Sequence, residues 1–533
     1  MNPSGAASLL LALGLAAAPA AAWITGGPAP DPERGRAIFH RGVTADGGEI
    51  VAAMGPESFE VAASLVPCAS CHGHDGRGRP EGGIAPSNLT WASLTDPRGA
   101  RRPDRRQHPP YDERSLLKAI TMGVDPAGNE LNDTMPEYRL SRRDAADLVA
   151  YMKVLGEEKD PGIADDTLRV ATLLRPGDPR GEATRGALSV FFDDLNEGGG
   201  VYGRRVELEV FPLPPPPVRG EALTRAVRES WGDEAPFALV APDMVGRARE
   251  LTRLFDEESI PVIGPAALDP FLELPPNRHI FYLYGGVDEI ARTLVEYASG
   301  PGTLSGGRLL ILHGEGEGAA EWAAGAEDQA RLGGWAGIRS STLSAHLRQQ
   351  AAQSAGATAA PVSALTPAET VLFLGRDAEL RTFLDSAERR SWYPNVLVPG
   401  LLAAPALLEA SGGFEGRLYC AFPTLLTDAD PTVASGYWQL ARKKGLGMDH
   451  LASQLAAVSA ATLLVEGLNR AGRDLSREGL IESLEGLYDF STGLTPQMAF
   501  TPNRRLGARG GHVVTVDLAG GSFEPTGKRI VPR

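Results

Sequence analysis

Cysteine is scarce in this sequence, with only three among 533 residues. Two of them lie in the segment CASCH, and Cys420 stands alone in the apolar run RLYCAF. A framework of structural disulfides is therefore not expected, although export from the cytoplasm would permit one. Cys420 is predicted to be a small buried hydrophobic residue.

The chain also lacks an excess of positive charge, since its formal net charge is −15. Wholesale binding to nucleic acid is therefore not expected. Beyond the first 25 residues, we expect no stretch that approaches the ~20 apolar residues of a membrane-spanning helix. The length is too great for one hydrophobic core, so two or three domains are expected.

The N-terminus has the pattern of a secretory signal peptide. An apolar core, LLLALGLAAA, occupies residues 9–18, and small residues offer a cleavage site before Trp23. No Lys or Arg precedes the apolar core, which is atypical and leaves an uncleaved membrane anchor as the alternative. We predict a signal peptide over 1–22 and a periplasmic location.

The segment CASCH, within a predicted domain of residues 23–158, is a C-x-x-C-H motif. Thiols three residues apart share one side of a helical turn, where they can bond to the two vinyl groups of a haem, and the next residue can bind the iron. A zinc half-site would need a second ligand pair, and a redox dithiol would follow a strand in a βαβ unit. The motif predicts one covalent haem c on Cys68 and Cys71, with His72 as an iron ligand.

Residues 33–156 resemble a class I cytochrome c. The segment ERGRAIFHRG resembles its first helix, PCASCHGHDGRG its haem-attachment turn, and LNDTMPEYRLSRRDAADLVAYMKVLG its Met-Pro loop and last helix. The resemblance implies an all-α electron-transfer domain in which Met135 is the second iron ligand. It also implies that the carbonyl of Pro86 accepts a hydrogen bond from His72. An iron with two protein ligands leaves no open position for a substrate, so the chain is not expected to be an enzyme.

Other residues in this domain leave alternatives open. Met122 and His108 are rival distal ligands, and Met122 is expected in the core because of its helical spacing with Leu116 and Ile120. Arginines between 98 and 106 form a basic island, which is either a solvated loop or a docking surface for an acidic redox partner. The arginines are Arg98, Arg101, Arg102, Arg105 and Arg106.

The pattern changes after a polar linker, KDPGIADD, at residues 159–166. Over 167–533, short apolar runs alternate with amphipathic helices, as in LRVATLL followed by GALSVFFDDLNEGG. This alternation predicts parallel sheets covered by helices, and the length of the region predicts two α/β lobes.

Residues 167 to about 525 resemble the type I periplasmic binding proteins of the branched-chain amino acid kind. The resemblance rests on the opening strand, the helix that ends in Asn-x-x-Gly-Gly, the strand IPVIGP and the C-terminal helices. It implies two lobes joined by three crossing strands, near Tyr284, Phe422 and Gln497. It also implies a small-molecule ligand in the cleft and an ABC permease as a partner.

In open α/β sheets, ligands meet the loops at the carboxyl ends of the strands. The candidate cleft residues are Arg175, Asp178, Asp243, Met244, Pro265, Ala266, His313 and Arg376. Amino-acid binders of the family hold the ligand carboxylate with small hydroxyl residues after the third and fourth strands. This chain has Pro242-Asp243-Met244-Val245 and Ala266-Ala267-Leu268 there. An apolar or aromatic molecule, or no ligand, is therefore an open alternative to an amino acid.

One partial motif and two functions remain to be weighed. The run from Gly314 to Ala319 reads G-x-G-x-x-A, but the acidic residue that completes a dinucleotide site is absent. The first function is a periplasmic electron carrier fused to a ligand-binding module, which serves a dehydrogenase, an oxidase or a respiratory chain. The second is the receptor of an ABC importer with an accessory haem domain.

Overall fold

The computed structural model describes residues 29–73, 75–78, 86–101, 106–156, 159–232, 234–272, 276–300, 303–304, 307–316, 318–356, 369–527 and 529–533. The chain divides into two compact units, one up to residue 158 and one from Lys159 onward. The predicted signal peptide lies outside the described residues.

The first unit contains the predicted helices and also a small sheet that we did not expect. The helices are α1 (Pro32–Arg41), α2 (Cys68–His72), α3 (Trp91–Leu94), α4 (Glu113–Met122) and α5 (Arg142–Val154). The strands are β1 (Val51–Met54), β2 (Phe59–Ala62), β3 (Ala100–Arg101), β4 (Gln107–His108) and β5 (Glu137–Arg139). Strands β2, β1 and β5 form an antiparallel sheet in that order.

Helices α1 and α5 cross in direct backbone contact at Gly35. A Cβ atom on Gly35 would lie 2.0 Å from the backbone oxygen of Asp147, so only glycine fits there. The buried Asp147 carboxylate accepts hydrogen bonds from the backbone N–H of Asp31 at 2.8 Å and from Nε of Arg34 at 3.2 Å. These bonds fasten the start of α1 to α5 and satisfy the buried charge.

The second unit has two α/β lobes, as predicted. Its helices are α6 (Pro179–Glu197), α7 (Gly220–Ser230), α8 (Ala248–Glu257), α9 (Val287–Ala298), α10 (Ala319–Leu332), α11 (Leu343–Gly356), α12 (Asp377–Glu388), α13 (Gly400–Leu408), α14 (Pro431–Lys443), α15 (Leu451–Ala471) and α16 (Arg477–Glu485). Its strands are β6 (Thr167–Leu174), β7 (Arg205–Pro212), β8 (Ala238–Val240), β9 (Val262–Ile263), β10 (Ile280–Tyr284), β11 (Arg308–His313), β12 (Gly337–Thr342), β13 (Glu369–Leu374), β14 (Asn395–Pro399), β15 (Leu418–Phe422), β16 (Leu506–Ala508), β17 (His512–Asp517) and β18 (Ser522–Pro525).

Each lobe is built on one sheet. The first lobe has the parallel strand order β16-β10-β9-β8-β6-β7, and the second has β12-β11-β13-β14-β15-β17-β18. In the second sheet the strands are parallel as far as β15, and the last two pairings are antiparallel. Such sheets bury apolar residues on both faces, which explains the short apolar runs of the sequence.

Helix α15 corrects one expectation from the sequence. By length and composition alone, its 21 residues could span a membrane, so the expectation that no such stretch follows the N-terminus was wrong. The helix packs against α6 and α16 in the first lobe, where Leu463, Leu464 and Leu468 are fully buried. An apolar helix that is covered on several sides belongs to a protein core.

The polar segment 159–166 is packed on the second unit and is not a free linker. The Asp160 carboxylate accepts the backbone N–H of Arg477 at 2.6 Å, and the Gly162 N–H donates to Glu234 at 2.9 Å. Ile163 packs against the core of the first lobe. Its sequence is polar because the segment lies at the surface, not because it lacks structure.

The chain passes between the two lobes at 285–286, 423–430 and 509–511. Tyr284 and Phe422 end the strands before the first two crossings. The prediction of the third crossing near Gln497 was wrong, because Met498 and Phe500 are buried in the core of the first lobe. The chain adds β16 to the first sheet before it leaves that lobe.

A buried ion pair helps to hold the first lobe together. Arg505 and Glu485 meet at 2.6 Å with side chains only 2% and 5% exposed, and the guanidinium lies 4.7 Å from the ring centre of Phe281. A pair this deeply buried is costly to break from one side, because the remaining buried charge loses its opposite charge.

Glu485→Ala is therefore expected to lower the free energy of unfolding by about 3–5 kcal/mol. Glu466→Ala is the matched control, since it breaks the more exposed pair with Arg470 on α15, and its expected cost is below about 0.5 kcal/mol. Urea unfolding followed by circular dichroism compares the two variants. Equal losses of unfolding free energy in the two variants would show that burial adds nothing to the Arg505–Glu485 pair.

Candidate functional site

A cavity of about 390 Å³ opens in the first unit. Cys68, Cys71, His72 and Met135 all line it. Most other lining residues are apolar: Phe39, Met54, Leu65, Val66, Pro67, Pro86, Leu89, Leu94, Leu116, Ala119, Ile120, Leu131, Pro136 and Met152. The structure therefore brings the four predicted haem residues to one apolar space, although Met135 lies more than 60 positions after the motif.

The two cysteines lie on α2, a single helical turn that begins after Pro67. Cys68 is buried and Cys71 is exposed, and neither thiol is in a disulfide. Burial raises the pKa of the Cys68 thiol to about 11. Reactive dithiols have lowered thiol pKa values, so this environment does not suit a redox dithiol.

His72 is buried, and its ring is held by a hydrogen bond from Nδ1 to the carbonyl oxygen of Ser87 at 2.8 Å. Because a carbonyl only accepts, Nδ1 carries the proton in this contact. The prediction that Pro86 provides the carbonyl was wrong by one residue. The Pro86 oxygen lies only 2.3 Å from where a Cβ atom on Gly78 would be, so it faces that turn, although Pro86 still lines the cavity.

Met135 lies in the loop before β5. Its backbone N–H donates to the carbonyl of Asn132 at 2.8 Å, and the Asn132 side chain accepts the N–H of Thr134 at 3.0 Å. These bonds form a compact turn whose next residue, Pro136, is buried. The turn directs the loop towards the cavity, as the resemblance to cytochrome c implies.

Neither rival distal ligand is among the residues that line the cavity. Met122 is 59% exposed at the end of α4, so the expectation that it packs in the core was wrong. His108 is buried, with Nδ1 bonded to the Pro109 carbonyl at 2.9 Å and its ring centre 4.9 Å from that of Tyr111. The cavity therefore favours Met135 over both.

Sequence reasoning missed two thioethers and one arginine at the cavity. Met152 lines it from the apolar face of α5, where the helical pattern could have indicated it. Met54 reaches it from β1, and no sequence signal pointed to that strand. Arg106 also lines it and lies 3.8 Å from the buried Asp125 carboxylate.

The basic island has no single role in the structure. Arg98 is exposed and pairs with Asp96 at 2.7 Å, as a solvated residue does. Arg102 and Arg105, with the side chain of Arg101, lie outside the described residues. Arg106 lines the cavity, whereas Arg98 lies at the surface, so the arginines whose side chains are described do not form one uniform surface patch.

The lining of the cavity fits a haem c. Two thiols, an imidazole and a thioether border an apolar space, and this is the donor set of a covalent haem with two axial ligands. Within the described ranges, no group of three or more His, Cys, Asp or Glu residues could hold a metal ion. A zinc site at the motif is therefore not supported there.

In the second unit, the predicted cleft residues form two groups, one on each lobe. In the first lobe, Arg175 follows β6 and its Nε lies 3.2 Å from the Asp243 carboxylate, while its Nη2 donates to the Val245 carbonyl at 2.6 Å. Burial raises the pKa of Asp243. Asp178 caps α6 beside them, so three predicted residues lie together.

Of the other candidates in the first lobe, two have buried side chains, and the third, an alanine, has only backbone groups for polar contacts. Met244 is fully buried in the core beneath the loop, and Pro265 is also buried. The prediction that these two side chains face a ligand was therefore wrong. Ala266 is exposed, and its carbonyl accepts the Met244 N–H at 2.9 Å.

In the second lobe, His313 and Arg376 lie at neighbouring strand ends. His313 pairs with Leu374 across β11 and β13, and its Nδ1 bonds the Gly314 carbonyl at 2.8 Å. Arg376 caps α12, and its backbone N–H donates to Glu379 at 2.8 Å. This edge therefore presents an imidazole and a guanidinium.

The lobe crossings are joined by polar contacts. His512 Nε2 lies 2.8 Å from the Asp428 carboxylate, which links the third crossing to the second. Arg529 donates to the Pro423 carbonyl at 2.5 Å and to the Gly510 carbonyl at 2.8 Å. The three crossings form the hinge between the lobes. Side chains that are far apart in the sequence hold the second and third crossings together.

Comparisons with known proteins agree with this architecture. Residues 176–522 match the family model described as periplasmic binding protein, which covers more than half of the chain. The chain belongs to the periplasmic binding protein family. Residues 55–156 match the model described as cytochrome c, so a cytochrome c domain precedes that fold and implies covalent haem c. Both predicted resemblances are confirmed.

Solved structures resemble the second unit at low identity. A fatty acid ABC transporter substrate-binding protein from Thermomonospora curvata is 16% identical with a TM-score of 0.53, over 70% of this chain and 95% of that one. A branched chain amino acid ABC transporter protein from Thermus thermophilus, with bound valine, is 18% identical with a TM-score of 0.53, over 69% and 97%. These likenesses show the fold alone. No curated protein matches the sequence.

The hinge pair gives a prediction about pH. Burial alone would raise the pKa of Asp428, but hydrogen bonds from His512 and the Leu425 N–H hold it below its ordinary value. A carboxyl with a lowered folded pKa contributes stability above its ordinary pKa of about 4 and loses it as the pH falls through the folded value.

The wild-type protein is therefore expected to be more stable than Asp428→Asn at about pH 5, and the difference is expected to shrink as the pH falls below the ordinary pKa of about 4. Urea unfolding of both proteins across this range measures the difference. A gap that stays constant to the acid end would contradict the assigned role of the carboxylate.

Proposed function

We propose that the protein is an exported electron-transfer protein with one covalent haem c and a small-molecule-binding unit. It serves a periplasmic dehydrogenase or a respiratory chain. The observation that supports this best is the gathering of Cys68, Cys71, His72 and Met135 around one apolar cavity. The N-terminal pattern of the sequence supports the periplasmic location.

Each residue of the cavity has a separate role in this proposal. Cys68 and Cys71 hold the haem through thioethers, and His72 and Met135 are the iron ligands. The Ser87 carbonyl fixes the His72 ring in one tautomer and one orientation, which leaves Nε2 as the ligating nitrogen. When bound, the haem supplies a reversible one-electron change, and a thioether ligand raises its reduction potential.

The site is suited to electron transfer and not to chemistry on a substrate. His72 and Met135 would both bind the iron of a haem held in this cavity, which would leave no iron position for a substrate. The apolar lining keeps water away from the group. Cys71 reaches the surface on the attachment turn, so electrons are exchanged there with a dehydrogenase or an oxidase.

For the second unit we infer that a small molecule binds between the lobes. The proposed contacts are Arg175, Asp178, Asp243, Ala266, His313 and Arg376. Asp243, which pairs with Arg175, stands where amino-acid binders carry small hydroxyl residues. A free amino acid held through its α-carboxylate is therefore not favoured, and the exposed polar groups of both lobes would orient another kind of small molecule.

The alternative is the receptor of an ABC importer, with the haem domain as an accessory. The fold supports it, because the similar structures are substrate-binding proteins of ABC transporters. An ABC permease would then be a partner beside the redox partner. The haem cavity has no evident use in that role, which is why the electron carrier is the first proposal.

The distal ligand can be tested by exchanging two thioethers of the same cavity. Met135→Ala is expected to abolish the red absorption band of a sulfur ligand on ferric haem and to lower the reduction potential. Met54→Ala is the matched control, and it is expected to keep the band and to change the potential less. Absorption spectra and potentiometry of the full chain give the answer.

Two outcomes would contradict this assignment. If Met135→Ala keeps the band, the thioether of Met135 is not a ligand. If Met54→Ala loses it instead, the distal ligand lies on β1.

The binding role can be tested by thermal-shift screening of the full chain. The panel contains amino acids, alcohols, aldehydes, aromatic acids and short amides. A ligand at a hundred times its Kd is expected to stabilise the second unit by roughly 2.7 kcal/mol.

Arg175→Ala is expected to remove that stabilisation, and Arg185→Ala, which breaks an exposed pair on α6, is expected to keep it. Absence of any shift over the panel would count against a ligand-binding role and would leave electron transfer as the supported function.

A further inference from the structure

The segment between α1 and the haem-attachment turn contains a β-hairpin. Strands β1 and β2 form it, with Val51 opposite Ala62 and Met54 opposite Phe59. Both α1 and β1 lie before residue 55, where the match to the cytochrome c family model begins, and β2 lies within the match. The position of this hairpin in the unit indicates its role.

The base of the hairpin is anchored in the core of the unit. Ile50 is 4% exposed and Ala63 is fully buried, and the Ala63 N–H donates to the Ile50 carbonyl at 2.7 Å. The chain then passes directly to Val66 and the attachment turn. The hairpin is therefore a fixed element and not a loose loop.

Its first strand is bonded along the segment that follows Met135. Strand β1 pairs with β5 in register, with Val51 opposite Arg139 and Ala52 opposite Tyr138. Beyond the strand, the Gly55 N–H donates to the carbonyl of Asp133 at 3.1 Å. The Met135 turn is thus held on both of its sides by the hairpin.

The same sheet reaches back to the attachment turn through Tyr138. This residue is 3% exposed, and its hydroxyl donates to the Val66 carbonyl at 2.5 Å. Val66 lies two residues before Cys68. Residues of the hairpin segment, Met54 and Leu65, line the cavity beside Met135.

We propose that the hairpin is a splint that positions the Met135 loop against the haem-attachment turn and so keeps the thioether on the iron. Its residues act through Met135 and are positioning residues. The inference rests on the proposed haem ligation. A loop held by strand pairing on one side and by Gly55 on the other rarely adopts open conformations in which an outside ligand could replace the sulfur.

Two glycines of the hairpin segment allow a matched test. Gly55 and Gly47 have φ values of 73° and 80°, and a Cβ atom on either would meet nothing within 4 Å. Each N–H donates to one backbone carbonyl, that of Asp133 for Gly55 and that of Thr44 for Gly47. Proline at either position removes one such bond and forces φ negative, but only Gly55 contacts the Met135 loop.

The measurement is imidazole binding to the ferric full-length protein, because imidazole must displace the distal sulfur. Gly55→Pro is expected to raise the imidazole affinity by roughly fivefold, the equivalent of one lost hydrogen bond, and to weaken the sulfur band. Gly47→Pro is expected to change neither. Equal imidazole affinities for the two variants would overturn the proposal.

A second pair of variants covers the case in which Gly55→Pro fails to take up haem. Tyr138→Phe removes the hydroxyl bond to Val66. Tyr151→Phe removes a comparable, partly buried bond from the Tyr151 hydroxyl on α5 to His40 on α1, where the two atoms lie 2.6 Å apart. Only Tyr138→Phe is expected to raise the imidazole affinity. Identical affinities in this pair also overturn the splint, whereas a band that survives Met135→Ala overturns the ligand assignment on which it rests.

Discussion

The contact between α1 and α5 at Gly35 is the constraint on which the haem unit depends. The two helices lie so close that a single Cβ atom would collide with the backbone of Asp147. This crossing places Phe39 of α1 and Met152 of α5 on the wall of the same cavity. The buried Asp147 carboxylate then fixes the crossing by charge-assisted bonds to the start of α1. An apolar space lined by helices from the beginning and the end of the first unit follows from this one approach.

Much of the haem site could be predicted from the sequence, because its chemistry is local. Cys68, Cys71 and His72 fall on one helical turn whatever surrounds them, and a Met-Pro pair before an amphipathic helix is a short pattern too. The hairpin could not be predicted in this way. Its strands are four residues long, and β1 pairs with β5 about 85 positions away, so no periodicity within one window indicates them.

Other differences between prediction and structure have the same origin. The shift from Pro86 to Ser87 depends on how a loop closes over Gly78, which is decided by a contact between backbones. The third lobe crossing was misplaced because β16 has only three residues and pairs with β10, more than 200 positions earlier. Met244 was expected to face the cleft because it follows a strand, yet its side chain turns into the core. Position at a strand end predicts the loop, but not which side chains of the loop reach the ligand.

The cleft and the cavity differ in what their sequences specify. The cavity is bordered by a donor set that one cofactor satisfies, so its occupant follows from chemistry. The contacts proposed for the cleft are an arginine, an aspartate, an imidazole and a second guanidinium on two lobes, which many small molecules could satisfy. Coupling between the two units would require a ligand that binds the two redox states with unequal affinity, and the same difference would then shift the reduction potential. If the ligand binds equally in both redox states, the chain still joins a ligand-binding unit to an electron carrier. Such a fusion does not depend on allostery.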